Sequence, residues 1–174
     1  MEKIDDLLQD WKFSNELGEP IIWTPSQKRM MSAIIDLGVE GKQFVQIETP
    51  TRFGKSACTA AALLMRCVEK EQWAIVAGTA EKGQIIMDYF INYALENVIS
   101  RELLKTKVSL DKLKQDRSRD SLTFSSGFEI RVFSADGRNK QATGNAIMGF
   151  GAPYVILDEA ALVEALRSGT IVGA

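Results

Sequence analysis

The chain has 174 residues, the size of one domain, and a globular chain of that length buries roughly 70% of the surface it exposes when unfolded. Hydrophobic residues at 45% and charged residues at 25% exclude a disordered or collagen-like chain and suit a soluble globular domain. A net charge of −2 and a pI near 5.3 exclude a global basic field, so any nucleic-acid contact must be local.

Histidine is absent and cysteine occurs only at Cys58 and Cys67, which excludes zinc-type clusters. Carboxylate and hydroxyl oxygens remain as ligands, and these suit a hard cation such as Mg2+. Both cysteines fall in a segment that reads as one buried helix, so reduced thiols, a cytoplasmic setting and no disulfide are expected. No apolar run approaches the roughly 20 residues that span a bilayer, and the stretch Met1 to Asp6 is too acidic for a secretory signal. The expectation is a soluble, unexported protein with no membrane contact.

In chain order, Ile4, Leu7, Leu8 and Trp11 recur at the spacing of one helical face and predict a short amphipathic helix over Ile4 to Phe13. Pro20 and Pro25 bracket Ile21-Ile22-Trp23, and Pro25-Ser26 starts a second helix whose apolar positions Met30, Ile34 and Ile35 continue towards Gly38. These form a helical lead-in over about residues 1–40. Phe44 to Ile47 is a β-favouring run, followed by the loop Thr49-Pro50-Thr51-Arg52-Phe53-Gly54-Lys55-Ser56 and a helix over Ala57 to Val68. Trp73 to Ala77 predicts the next strand, and Ile85, Ile86, Tyr89, Phe90 and Tyr93 the helix after it. Leu122 to Phe124 and Phe128 to Phe133, joined by Ser125-Ser126-Gly127, predict an antiparallel hairpin at a sheet edge. Thr143-Gly144 and Gly149-Phe150-Gly151 predict a glycine-rich loop, with Arg138 and Lys140 nearby. Tyr154 to Leu157 predicts a fully buried parallel strand ending in Asp158-Glu159. Alternating strands and helices imply an α/β fold with a mainly parallel sheet, whose ligands lie beyond the carboxyl ends of the strands.

Two motifs fall at such ends. A triphosphate needs several donors converging on its oxygens, and a loop entering a helix supplies backbone N–H groups and the positive end of the helix dipole. Thr49 to Ser56 has that form: Lys55 is placed to reach the β- and γ-phosphates of ATP, the Ser56 hydroxyl to coordinate Mg2+, and Gly54 to let the backbone approach. The usual pattern opens with glycine where this chain has Thr49, which makes it the relaxed form of a phosphate-binding loop. A chance Gly-Lys-Ser helix start is the alternative, and the flanking strand and helix weigh against it. Asp158 suits the metal, usually through water, while Glu159 suits the orientation and deprotonation of an attacking water; a plain solvated strand end is the alternative, and the pairing with Lys55 weighs against it.

Other candidates keep two readings. Arg52 is placed to contact the γ-phosphate and stabilise transition-state charge, or is a solvent-facing loop charge. Gln27 is placed to read the two-sided edge of adenine, with Trp23 and Pro25 as packing neighbours, or is an exposed glutamine on a first helical turn. Between Arg101 and Arg119, Lys105, Lys107, Lys112, Lys114 and Arg117 outnumber Glu102, Asp111 and Asp116, and a solvated helix face outweighs a phosphate-backbone contact there. The glycine-rich loop is read as a connection, with DNA or nucleotide contact as the weaker alternative.

The arrangement resembles the ATPase domain of a tailed-phage large terminase subunit. The carriers are Thr-Pro-Ser-Gln at 24–27, Thr-Pro-Thr-Arg-Phe-Gly-Lys-Ser at 49–56, Gly-Thr-Ala-Glu-Lys-Gly-Gln at 78–84 and Tyr-Val-Ile-Leu-Asp-Glu-Ala-Ala at 154–161. The resemblance implies a P-loop NTPase of the additional-strand, catalytic-glutamate type over residues 1–174, a motor coupling ATP hydrolysis to translocation of double-stranded DNA into a procapsid. It also implies a portal protein or procapsid, a small terminase subunit and further copies of the chain as partners. Two departures stand: Arg52 lies one residue nearer the Gly-Lys pair than in many terminases, and no acidic-cluster nuclease domain follows Glu159, so a carboxyl-terminally truncated fragment is expected. A superfamily-two helicase or translocase core, and a nucleotide-binding switch with little turnover, are the alternatives.

Overall fold

A computed structural model describes residues 2–39, 41, 43–105, 109–115, 119–135 and 140–158. The amphipathic start forms α1 (Glu2–Asp10), and Pro25 opens α2 (Pro25–Ile35). The Ala-Leu-rich segment forms α3 (Lys55–Met65), the apolar run after it forms β1 (Gln72–Ala77), and the helical spacing that follows gives α4 (Ala80–Glu96). The basic stretch carries α5 (Val98–Lys105) and α6 (Leu110–Gln115). The hairpin forms β2 (Ser121–Thr123) and β3 (Glu129–Ser134), and α7 (Lys140–Phe150) then leads to β4 (Tyr154–Leu157).

The sheet order is β2-β3-β1-β4. β1 runs parallel to β3 on one side and to β4 on the other, and β2 closes the edge antiparallel to β3. The fold is therefore α/β with a mixed, mostly parallel four-stranded sheet, as the alternation of elements predicts. Side-chain alternation decides which helices cover which face. Trp73, Ile75, Ile130, Tyr154 and Ile156 join the main core beneath α3 and α4, while Val76, Phe133, Val155 and Leu157 face the other way and pack with Ile147 of α7. At Gly83 of α4 an added Cβ would collide with Val132 of β3, so this glycine sets how closely helix and sheet approach.

Arg66, in the turn after α3, ties the lead-in to the sheet. Its guanidinium pairs with both carboxylate oxygens of Glu71, with Nη2 at 2.6 Å, and donates to the carbonyls of Ile35 at the end of α2 and Leu37 just beyond it. It also lies about 5 Å from the centroids of the stacked Trp73 and Tyr154 rings. Glu71 accepts from Trp73 Nε1 at 2.8 Å, so one ion pair gathers α2, α3, β1 and β4.

Three expectations are corrected. Phe44 to Ile47 forms no strand: Phe44 is 81% exposed, and β-propensity counts only when a residue packs on a sheet, whereas this segment has no ladder partner among the described residues. The glycine-rich stretch forms α7 instead of a loop, because burying Ile147 against the sheet outweighs the cost of about 1 kcal/mol per interior glycine. Gly151, at φ +64, then ends it, donating to the Met148 carbonyl at 3.1 Å. β4 is parallel but half-buried throughout, since among the described residues it pairs on one side only. Cys67 lies in the turn beyond α3 and Cys58 within it; both thiols are free, fully buried and pushed up to about 12 by burial.

Candidate functional site

The site begins at the amino end of α2. Thr24 is its N-cap, with Oγ1 accepting from the Gln27 N–H at 3.3 Å, while Gln27 Oε1 accepts from the Thr24 N–H at 2.9 Å. This reciprocal pair satisfies two helix-end donors and fixes the Gln27 rotamer. The fixed amide then points its nitrogen at the 49–56 loop, where Nε2 donates to the Phe53 carbonyl at 2.9 Å.

The loop is shaped by two left-handed residues, Arg52 at φ +61 and Gly54 at φ +88. Glycine suits position 54 twice over: it takes positive φ without steric cost, and an added Cβ would lie 3.1 Å from Gln27 Nε2. Arg52 lacks the first advantage and holds its conformation at a cost of about 1 kcal/mol. Gly54 is also the N-cap of α3, so Lys55, Ser56 and Ala57 make up its first three residues. Their N–H groups have no intrahelical acceptor, no side chain caps them, and no acidic residue occupies the first turn. The result is a set of backbone donors at the positive end of the α3 dipole.

Lys55 and Ser56 are half-buried, Arg52 is exposed, and none of the three side chains has a hydrogen bond or ion pair with a described residue. Thr49 Oγ1 is buried with no partner among the described residues, while Pro50 and Thr51 are exposed on the outer turn. Asp158 is positioned separately, through the sheet: its N–H donates to the Val76 carbonyl at 2.9 Å, extending the β1–β4 ladder one residue past Leu157. Asp158 is half-buried and directly follows the carboxyl end of β4. Thr79 caps α4, accepting from the Lys82 N–H at 3.3 Å. Glu159 and Arg138 lie outside the described residues.

The structure thus brings Gln27 onto the loop of Phe53, Gly54 and Lys55. Gln27 has two engaged groups, leaving one N–H and one oxygen lone pair for any further contact. Thr-Pro-Ser-Gln is a capping-box pattern with proline at the first helical position, and that signal was present for its cap role. The basic segment presents Arg101 and Lys112 to solvent while Leu104 and Leu113 are fully buried, which is the solvated helix face. Lys107, Asp116 and Arg117 lie outside the described residues.

The chain matches no protein-family model and no curated protein. Among the described residues no helix is long and apolar enough to cross a membrane.

Proposed function

We propose that this chain is a P-loop ATPase domain that binds Mg-ATP at residues 49–56 and Asp158, of the kind that drives double-stranded DNA into procapsids in tailed-phage terminases. The observation that carries the reading is the left-handed Gly54 immediately before an uncapped helix start at Lys55-Ser56, held in place by Gln27. Backbone donors, a lysine without a described partner and a helix dipole converge there on one kind of ligand, a polyphosphate. The donor set also fits the metal. Ser56 offers a hydroxyl and Asp158 a carboxylate, hard oxygen donors of the sort Mg2+ takes alongside substrate phosphates. No cluster of three acidic, histidine or cysteine side chains occurs among the described residues, and this chemistry needs none.

Mg2+ would be held by Ser56 and Asp158 and would supply positive charge against the phosphates. The chain's own residues supply the rest. Lys55 compensates the β- and γ-phosphates, the first-turn N–H groups of α3 hold the remaining oxygens, and Arg52 stands on the loop exterior to meet charge developing at the γ-phosphate. Glu159 is assigned the orientation and deprotonation of the attacking water. The DNA-translocating role, the procapsid, small-subunit and homo-oligomer partners and the cytoplasmic setting rest on the resemblance of the four quoted motifs.

Calorimetric titration with Mg-ATP tests the reading. Lys55→Ala should weaken binding by at least about 10- to 100-fold, the range for losing a hydrogen bond to a charged group. Unchanged affinity would remove residues 49–56 from the phosphate site.

A further inference from the structure

α2 and α3 are each 11 residues long and pack along one another, and hydrogen bonds join them at both ends. At the starts, Gln27 on the first turn of α2 donates to the Phe53 carbonyl, one residue before the Gly54 cap of α3. At the ends, Arg66, the C-cap of α3, donates through Nη1 to the carbonyls of Ile35 and Leu37, the latter at 3.1 Å. The two helices therefore run in the same direction, with about 12 Å of α2 between the ties. The chain leaving α2 is fixed against the sheet as well. Gly38, at φ +83, lies so close to the Tyr154 ring of β4 that an added Cβ would sit 2.8 Å from its hydroxyl oxygen.

Packing between the ties sets a distance more than a register. The residues that α2 buries are Met30, Met31 and Ile34, and the buried residues of α3 include Ala60, Ala61 and Ala62. Methionine adapts to its surroundings through three rotatable bonds, and alanine offers no ridge to catch it. Hydrogen bonds are directional, so the ties decide how α2 sits along α3. Arg66 is the stiffer tie: its planar guanidinium is anchored by both Glu71 oxygens and lies over the Trp73 and Tyr154 rings. A slide of α2 by one residue's rise, about 1.5 Å, would stretch or bend the Gln27 bond, which weakens steeply away from its preferred geometry.

We propose that Arg66 is a positioning residue for the 49–56 loop: by holding the carboxyl end of α2, it sets the register in which Gln27 meets the Phe53 carbonyl. Arg66 lies at the opposite end of α3 from Lys55 and Ser56, so its effect on the loop runs through α2 and Gln27. The effect on ligand binding rests on the phosphate-loop reading of residues 49–56, while the effect on loop order needs no ligand.

The test is a double-mutant cycle of Arg66→Lys with Gln27→Met, read by affinity for Mg-ATP and for inorganic tripolyphosphate. Arg66→Lys keeps a charge beside Glu71, but one ammonium cannot serve that carboxylate and both α2 carbonyls in the same geometry. It should weaken both ligands about 3- to 5-fold in the wild-type background, the upper figure being what one hydrogen bond such as Gln27–Phe53 carries. Once Gln27→Met has removed that bond, the further loss should stay under about 1.5-fold. A merely structural Arg66 lowers stability in urea and leaves affinity where it was. Glu71→Gln, which keeps the shape of the anchor and drops its charge, is the milder second variant and should shift affinity in the same direction with the same dependence on Gln27. Amide exchange at Cys58, whose N–H donates to the Gly54 carbonyl at 3.0 Å, runs the cycle without ligand. Exchange should quicken in either single variant and be no faster in the double than in Gln27→Met alone. Where the wild-type chain binds, unchanged affinity in Arg66→Lys overturns the proposal, and so does an equal loss in both backgrounds. Where it binds neither ligand, the phosphate-loop reading fails and exchange alone decides: no acceleration by Arg66→Lys, or equal acceleration in both backgrounds, overturns the proposal.

Discussion

Gln27→Met separates the two tasks that the structure gives one side chain. Methionine keeps the volume and adds no charge beside a phosphate site, but it gives up both the acceptor for the Thr24 N–H and the donor to the Phe53 carbonyl. Each bond is partly exposed, so about 1 kcal/mol apiece is the relevant scale. Loss of the cap should lower global stability by about 1 kcal/mol. Loss of the tether acts on the loop: if the tethered conformer is the one that binds, releasing about 1 kcal/mol lowers its population and weakens affinity about 5-fold. Thr24→Ala is the control, because it removes the hydroxyl cap and leaves the amide–Phe53 bond in place. It should cost similar stability in urea titration and leave affinity within about 2-fold. Calorimetry with Mg-ATP and with tripolyphosphate should show the Gln27→Met loss equally for both ligands. A loss confined to ATP would make Gln27 a base reader, and equal affinity of Gln27→Met and wild type would show that the tether does not order the loop.

The other residues give sharper single outcomes. Arg52→Gly should leave stability equal or raised by up to about 1 kcal/mol in urea, since it relieves a left-handed arginine, while slowing phosphate release far more than it weakens ATP binding; an equal loss in rate and affinity would mean ordinary ground-state contact. Glu159→Gln should bind Mg-ATP normally and not turn it over, and wild-type turnover would remove Glu159 from its assigned role. Arg66→Met should cost about 3–5 kcal/mol, because with side chains only 10% and 12% exposed it leaves the Glu71 carboxylate and two carbonyls stranded; a loss under about 1 kcal/mol in urea would show that the cluster is not a structural tie. The buried thiols ionise near 9 when unfolded and near 12 when folded, so their contribution is full below about pH 9 and drains away as pH rises towards 12. The double variant Cys58→Ala, Cys67→Ala should flatten that part of the stability profile, and an unchanged slope between pH 9 and 11 would exclude the thiols as its source.

The elements that were legible in the sequence are those whose local pattern and tertiary role agree. Trp73 to Ala77 is apolar because both faces of β1 are covered, and the hairpin turn shows in Ser-Ser-Gly because Gly127 sits at φ +90. Where pattern and packing conflict, local reading fails in both directions. Val45 and Ile47 favour a strand intrinsically yet stay irregular without a partner, and three glycines between 144 and 151 suggest a loop although Ile147 fastens a helix onto Val76, Val155 and Leu157. A strand exists through its neighbour and α7 through its buried face, and neither is written in the segment itself.

The candidate site divides along the same line. The helix start at Gly54-Lys55-Ser56 was legible because a helix start preceded by glycine is a local event, and the strand end before Asp158 because the run before it is apolar. The groups that support them are long-range. Gln27 meets Phe53 across 26 residues of sequence. A glutamine at the third position of a capping box has a full local explanation in its cap, which hides the donor at the other end of the amide. Its geometry nevertheless makes the cap and the loop one unit: Thr24 sets the Gln27 rotamer, Gln27 sets the Phe53 carbonyl, and that carbonyl immediately precedes the left-handed Gly54. A perturbation at the start of α2 therefore reaches the first turn of α3 through two hydrogen bonds. That short connection is why the lead-in helix belongs to the candidate site.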